Sequence, residues 1–246
     1  MPGRRPEPDF HWRGKEVSRL EGFSDTIFAF AITLLIVALE VPHDFEGLVS
    51  VVNGFPSFVV CFWLLMAFWN THYRFFRRYG LEDSFTHAVN YAILLMVLFA
   101  SYPLKFLFTA LFGQMMGHHD ALTGANWDFL FRVYGAGLGV TWGLFALLYW
   151  HAYRLREHLA LTKIEQLHTR ASIGACLVYV VVCLLSILLT LVPVNSSLPG
   201  MIYFLIGIGM WLNYGWYGRL ARLQREADAV EAAAQTAPPV TLPPAV

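Results

Sequence analysis

Charge is scarce in this chain. Asp, Glu, Lys and Arg supply 14% of its 246 residues and hydrophobic residues supply 57%, and the mean hydropathy of +0.52 excludes an ordinary soluble domain. The sequence also lacks the G-x-x-x-x-G-K-[ST] phosphate loop, the G-x-S-x-G nucleophile turn and the H-E-x-x-H zinc motif. These absences give no support to an enzyme, a bound cofactor or a nucleic-acid partner. The composition predicts an integral membrane protein.

Cysteine is rare as well. Cys61, Cys176 and Cys183 fall in apolar stretches, without C-x-x-C or any other metal-ligand spacing. We expect all three to be small, buried hydrophobic side chains.

Six apolar runs are long enough to cross about 30 Å of hydrocarbon as helices. They cover residues 25–41, 48–68, 88–112, 129–150, 173–194 and 201–217. The predicted fold is therefore all-α, a six-helix transmembrane bundle. No T-V-G-Y-G motif occurs, so no re-entrant selectivity filter is expected.

Lys and Arg are concentrated on one side of these spans. All but two of the 17 basic residues lie before span 1, between spans 2 and 3, between spans 4 and 5, or after span 6. Because cytoplasmic flanks carry the excess of Lys and Arg, we expect a multi-pass protein of the cell membrane with both termini cytoplasmic. Residues 1–16 are predicted to be a mobile N-terminus and residues 226–246 a disordered tail, on either side of a transmembrane domain at residues 17–225.

A carboxylate stands at the start of the first span. It ends the segment Arg19-Leu20-Glu21-Gly22-Phe23-Ser24-Asp25. A charge inside a span is costly unless it is paired, so Asp25 is expected to belong to a polar network. Besides Arg19 and Ser24, candidate partners at the same depth are His72 at the end of span 2 and Asn90 at the start of span 3. Trp69 is explained by the preference of Trp for the membrane interface.

The first span is apolar all round, so periodicity alone does not show which face meets lipid, other helices or a pore. At about 100° per residue, one stripe groups Ile27, Phe30, Leu34, Val37 and Val41, with Thr33 at its edge. Without further information, packing in a helical core is the simplest interpretation of this stripe.

Three other features have structural or functional interpretations. The fourth span carries a G-x-x-x-G-x-x-x-G ladder at Gly135, Gly139 and Gly143, which predicts close approach of another helix. Glu40 could line the outer mouth of a pore or extend into the headgroup layer. The outer loop contains His118-His119-Asp120, where solvation is a simpler expectation than metal binding because no further ligand is clustered there.

The pattern Arg19-x-x-x-Phe23-Ser24-Asp25 before an apolar helix resembles the R-x-x-x-F-S-D signature of the transmembrane protein 175 family of potassium channels. The likeness extends through the second span and into the third. It is carried there by Trp69, His72, Arg74, Asn90 and Pro103.

This resemblance implies a homotetramer in the lipid bilayer that conducts potassium ions through a central pore lined by the first helix of each subunit. Apolar rings would fall on Phe30, Leu34 and Val37, with a hydroxyl ring at Thr33. The innermost ring is usually Ile in the family, so Phe30 is a departure that would narrow or dewet the path. The resemblance also implies a network that holds the pore helix, formed by Arg19, Phe23, Ser24, Asp25, Trp69, His72 and Asn90.

Two other functions are alternatives to a leak channel. A membrane-embedded haem or metal-dependent redox enzyme could use the histidines near the cytoplasmic side, which are His72, His87, His151 and His168. These lie at helix ends without repeated spacing, where interfacial hydration explains them. A secondary transporter would be expected to show internal repeats and broken helices, and neither is clear.

Overall fold

The computed structural model describes residues 10–37, 42–115, 124–192 and 198–236, and over these residues it contains helices and no strand. The helices are α1 (Arg19–Val37), α2 (Phe45–Tyr79), α3 (Ser84–Met115), α4 (Gly124–Arg154), α5 (Lys163–Leu189), the short α6 (Leu198–Met201) and α7 (Leu205–Thr236), with a 3-10 turn at Ile202–Phe204. The all-α prediction is confirmed.

Among the described residues, five helices, α1 to α5, are long and apolar enough to cross a membrane. The sixth predicted span is broken at its start, because α6 and the 3-10 turn precede α7. The carbonyl of Pro199 in α6 accepts a 2.9 Å hydrogen bond from Ser186 Oγ, which ties this break to α5.

Local sequence sets the ends of the long helices. Asp44 caps the start of α2 by accepting a 2.7 Å hydrogen bond from the backbone N–H of Gly47. Gly80, with φ of +59°, ends α2 in the left-handed conformation that glycine adopts without strain. Thr162 and Glu165 start α5 with a reciprocal capping box.

The helices form two groups. Helices α1, α2 and α3 pack on one another, α5 packs against both α4 and α7, and α4 joins the groups through α3 and α2. The glycine ladder of α4 faces α5, since a Cβ added at Gly135 would lie 2.9 Å from Ile187 Cγ1 and one at Gly139 would lie 3.3 Å from Cys183 Cβ. The predicted close approach at the ladder is confirmed, and all three cysteines are buried as expected.

The folded unit extends beyond both predicted domain boundaries. Residues 10–15, here called the N-terminal strap, belong to the segment predicted to be mobile, but Phe10 is 3% exposed and its ring packs edge-on against Tyr79. At the other end, the boundary predicted at residue 225 falls inside α7, because the Ala- and Glu-rich sequence that follows is a good helix former. Residues 1–9 and 237–246 lie outside the described residues, and the prediction stands for them.

Candidate functional site

One face of α1 is turned away from the rest of the chain. Its exposed residues recur at helical spacings of three and four, and they are Arg19, Phe23, Thr26, Ala29, Phe30, Thr33, Ile36 and Val37. Phe30 is 52% exposed and Val37 66% exposed within the single chain, and Leu34 at the edge is partly exposed. A helix face that its own chain leaves uncovered in a membrane meets lipid or another subunit.

The opposite face of α1 is held in the core. Ser24, Phe28, Ala31 and Leu35 are each no more than 2% exposed, and α1 packs there on α2 and α3. Packing of the buried face on α2 and α3 determines which side of α1 faces outward. The outward direction of Phe30 and Val37 therefore depends on the packing of the first three helices.

A buried hydrogen-bonded chain links the three helices beside this face. Asn90 Nδ2 donates to Ser24 Oγ at 3.0 Å, and Asn90 Oδ1 accepts from His72 Nε2 at 2.8 Å. Ser24 Oγ in turn donates to the Leu20 carbonyl at 2.8 Å. Ser24, His72 and Asn90 are all 0% exposed, so the chain is sealed from solvent.

Asp25 has a different partner. Its Oδ1 accepts a 2.8 Å hydrogen bond from Trp69 Nε1, and the Trp69 ring stacks on Tyr73 at a centroid distance of 5.5 Å. The structure therefore brings five of the predicted network residues together in two separate contacts. One joins Ser24, His72 and Asn90, and the other joins Asp25 and Trp69.

Arg19 and Phe23, also predicted for this network, lie elsewhere. Both are exposed on the same stripe of α1 as Phe30, and Arg19 makes no hydrogen bond or ion pair with any described residue. Spacing explains this position, because residues 19, 23, 26 and 30 follow one face of a helix, whereas Ser24 lies on the buried face. Glu40 and the segment His118-His119-Asp120 lie outside the described residues.

Sequence reasoning missed two ion pairs, each with a buried carboxylate and a partly exposed arginine, at the same end of the bundle. Glu21 Oε1 lies 3.2 Å from Arg77 Nε, with the two side chains 4% and 13% exposed. Glu165 Oε2 lies 2.9 Å from Arg13 Nη2, and the backbone N–H of His11 donates to Glu165 Oε1 at 2.8 Å. For the Glu21–Arg77 pair, the sequence offered one local indication, which is an acidic residue within the segment Arg19–Asp25.

The histidines named for a redox site have separate surroundings, and His168 lines a gap between α2, α4, α5 and α7. His72 bonds to Asn90, and His151 Nε2 lies 3.1 Å from Asp83 Oδ2. The His87 ring lies 6.2 Å from the ring of Tyr91. No group of three or more His, Cys, Asp or Glu side chains in the described part of the chain is arranged to hold a metal ion.

These features define a multi-pass α-helical membrane protein whose first helix is held by a sealed polar chain and presents its other face outward. The profile of a family described as endosomal/lysosomal potassium channel TMEM175 matches residues 19–103. A protein of Marivirga tractuosa named "Potassium channel" is 35% identical over 213 residues, covering 80% of this chain and 86% of that relative. The chain belongs to the TMEM175 family.

Solved structures agree with this assignment. The crystal structure of a variant of the potassium channel MtTMEM175, in complex with a nanobody–MBP fusion protein, is 34% identical with a TM-score of 0.75 and covers 88% of this chain and 98% of that one. The structure of a lysosomal potassium-selective channel TMEM175 homologue from Chamaesiphon minutus is 24% identical with a TM-score of 0.51, covering 79% and 96%. The second likeness supports the fold alone.

Proposed function

We propose that the protein is a potassium-permeable leak channel of the cell membrane, in which α1 of four identical subunits surrounds a central pore. The observation that carries the proposal is the outward face of α1. It is apolar around Phe30 and Val37, it is uncovered by its own chain, and it belongs to the helix that opens the family match. Relatives named potassium channels support the choice of ion.

In this proposal the constriction is apolar. Phe30, Leu34 and Val37 form stacked rings, and Thr33 on the exposed stripe adds hydroxyl groups between them. A narrow hydrophobic ring removes part of an ion's hydration shell, and potassium holds its water less tightly than sodium, so such a ring favours potassium without ligating it. Selectivity should therefore be modest.

The polar contacts have a structural role in this mechanism. The Ser24–Asn90–His72 chain and the Asp25–Trp69 bond fix the rotation of α1, and rotation decides which side chains face the axis. The basic residues flanking the spans support cytoplasmic placement of both termini, and hence of these contacts at the cytoplasmic end.

The test is ion flux from liposomes with potassium and sodium gradients, together with the mass of the detergent-solubilised assembly. Phe30→Ala and Leu34→Ala should widen the constriction and reduce the preference for potassium. Phe99→Ala is the matched control, because Phe99 of α3 is 59% exposed, close to the 52% of Phe30, but lies on another helix.

Two results would contradict the proposal. If neither α1 variant changes the permeability ratio, α1 does not line the pore. If the assembly has the mass of one or two chains, the four-fold arrangement is wrong. The redox alternative is tested by a visible absorption spectrum of the purified protein, and no described feature favours it.

A further inference from the structure

A cavity of about 220 Å³ lies between α2, α4, α5 and α7, away from the outward face of α1. Over the described residues, α2 and α5 both pack closely against α4, and α7 packs against α5. The backbones of α2 and α5 do not come close to each other, and side-chain contacts such as the 2.8 Å hydrogen bond between Tyr79 and Thr169 join the two helices. Ala67 of α2 and Ala171 and Ala175 of α5 line the gap. Because these side chains are small, they leave room between the two helices.

One end of the cavity is cationic. Asn70, Arg74 and Arg78 are spaced four residues apart on α2 and all line it. Arg78 is 8% exposed, and its Nη1 donates to Ser172 Oγ on the facing helix at 3.2 Å. Arg74 is exposed and makes no hydrogen bond or ion pair with any described residue.

None of the described residues that line the cavity is Asp or Glu, so no carboxylate in the described wall faces Arg74. The third arginine in this part of α2, Arg77, pairs with Glu21 of α1 outside the cavity. The positive charge of Arg74 is therefore not balanced by an acidic group among the described residues of the wall.

The other end of the cavity is aromatic. The Trp142 ring of α4 stacks on Tyr179 of α5 with centroids 4.0 Å apart and planes 5° apart, and Tyr214 of α7 completes this side. A site that is cationic at one end and aromatic at the other fits an amphiphilic anion better than a small free ion.

We propose that this cavity binds a phosphate-type anion, carried by the headgroup of an anionic phospholipid, with Arg74 and Arg78 as its cationic ligands. The planar fork of a guanidinium group matches two phosphate oxygens. With the orientation proposed above, the arginines lie at the cytoplasmic headgroup level, where basic pockets between helices select anionic lipids. The site goes beyond the channel proposal and does not depend on ion conduction.

The test is native mass spectrometry of the detergent-solubilised assembly incubated with phosphatidylglycerol or phosphatidylcholine. The wild-type protein should retain phosphatidylglycerol in preference. Arg74→Gln should weaken that binding roughly tenfold or more, which is the scale of a lost charge-assisted contact. Arg74 is chosen over Arg78 because its side chain is exposed and no described contact depends on it.

Arg222→Gln is the matched control. Arg222 is an exposed arginine of α7 whose Nε donates to the Gly218 carbonyl of the same helix, and its loss should leave lipid retention unchanged. Inorganic phosphate and glycerol phosphate, added as competitors, separate the two sources of the anion. If they displace the lipid from the wild-type protein at comparable concentration, the site is a phosphate site with a soluble ligand.

Two outcomes overturn the proposal. Equal retention of phosphatidylglycerol and phosphatidylcholine, with no competition by phosphate, would mean that the cavity does not recognise an anion. Equal behaviour of Arg74→Gln and the wild-type protein would mean that any selective lipid sits elsewhere. Liposome flux by the same variants distinguishes either failure from a failure of the channel proposal.

Discussion

Trp69 Nε1 donates a 2.8 Å hydrogen bond to Asp25 Oδ1, and this contact ties α2 to the second turn of α1. The acceptor lies at the start of the helix whose other face is uncovered, and the donor ring is fixed by stacking on Tyr73. The rotation of α1 about its axis is therefore fixed by this hydrogen bond as well as by apolar packing.

Trp69→Phe removes the donor but keeps an aromatic ring on Tyr73. We expect it to destabilise the protein by about 1.5–3 kcal/mol, the range for a hydrogen bond to a charged group. Asp25→Ala should have a similar effect, and the double variant should cost less than the sum of the two, because both remove the same bond. Thermal unfolding in detergent measures all three, and simple additivity would show that the two residues are not coupled.

Ser24→Ala should cost about 1–3 kcal/mol, because it leaves Asn90 Nδ2 buried without its acceptor. Thr26→Ala is the matched control on the same helix. Thr26 Oγ1 makes an equivalent bond to the Gly22 carbonyl but is exposed, so its loss should change stability by less than about 0.5 kcal/mol. Equal effects of the two variants in thermal unfolding would mean that the buried chain does not stabilise α1.

Gly135→Ala and Gly137→Ala should act in opposite directions. At Gly135 a new Cβ would meet Ile187 Cγ1 at 2.9 Å, whereas at Gly137 it meets nothing within 4 Å. The first change should destabilise the packing of α4 on α5 by about 1–3 kcal/mol. The second should be neutral or stabilise the helix by up to about 1 kcal/mol, and a loss of stability at Gly137 would contradict the packing described.

Protonation of Asp83, which lies between α2 and α3, should lower the stability of the protein at acidic pH. Burial raises the pKa of this carboxyl, but hydrogen bonds from Thr86 and His151 outweigh burial and hold the pKa below its usual 3.8. A depressed folded pKa contributes stability above the ordinary value and loses it as pH falls through the folded value. In Asp83→Asn, the melting temperature should depend less on pH below about pH 4 than in the wild-type protein. The same pH dependence in both proteins would show that Asp83 does not cause the loss of stability.

Features encoded by local composition were predictable from the sequence. Apolar length predicted the helical class, and the spacing of Gly135, Gly139 and Gly143 predicted close approach of another helix, which the structure shows to be α5. Polar residues at a shared membrane depth predicted that Ser24, His72 and Asn90 would be neighbours, although the specific pairing of Asp25 with Trp69 depends on side-chain direction.

Contacts between distant segments could not be predicted in this way. The Arg13–Glu165 pair joins residues 152 positions apart, and neither residue stands in a periodic pattern that identifies the other. Arg19 and Phe23 were assigned to the network by resemblance, but helical geometry puts them on the exposed stripe of α1. The 3-10 turn at Ile202–Phe204 was missed because its three residues are apolar and open the predicted span at residues 201–217 without a break signal.

The N-terminal strap has a consequence for how the protein can be handled. It donates backbone hydrogen bonds from Arg13 and Gly14 to the carbonyls of Arg78 and Arg77 at the end of α2, and Arg13 also reaches Glu165 at the start of α5. A chain trimmed to begin at residue 17 would leave that carboxylate with no guanidinium and uncover the ring of Tyr79. The strap precedes α1 in the chain. A pulling force applied to the N-terminus would therefore act on the contacts of the strap with α2 and α5 before it reached α1.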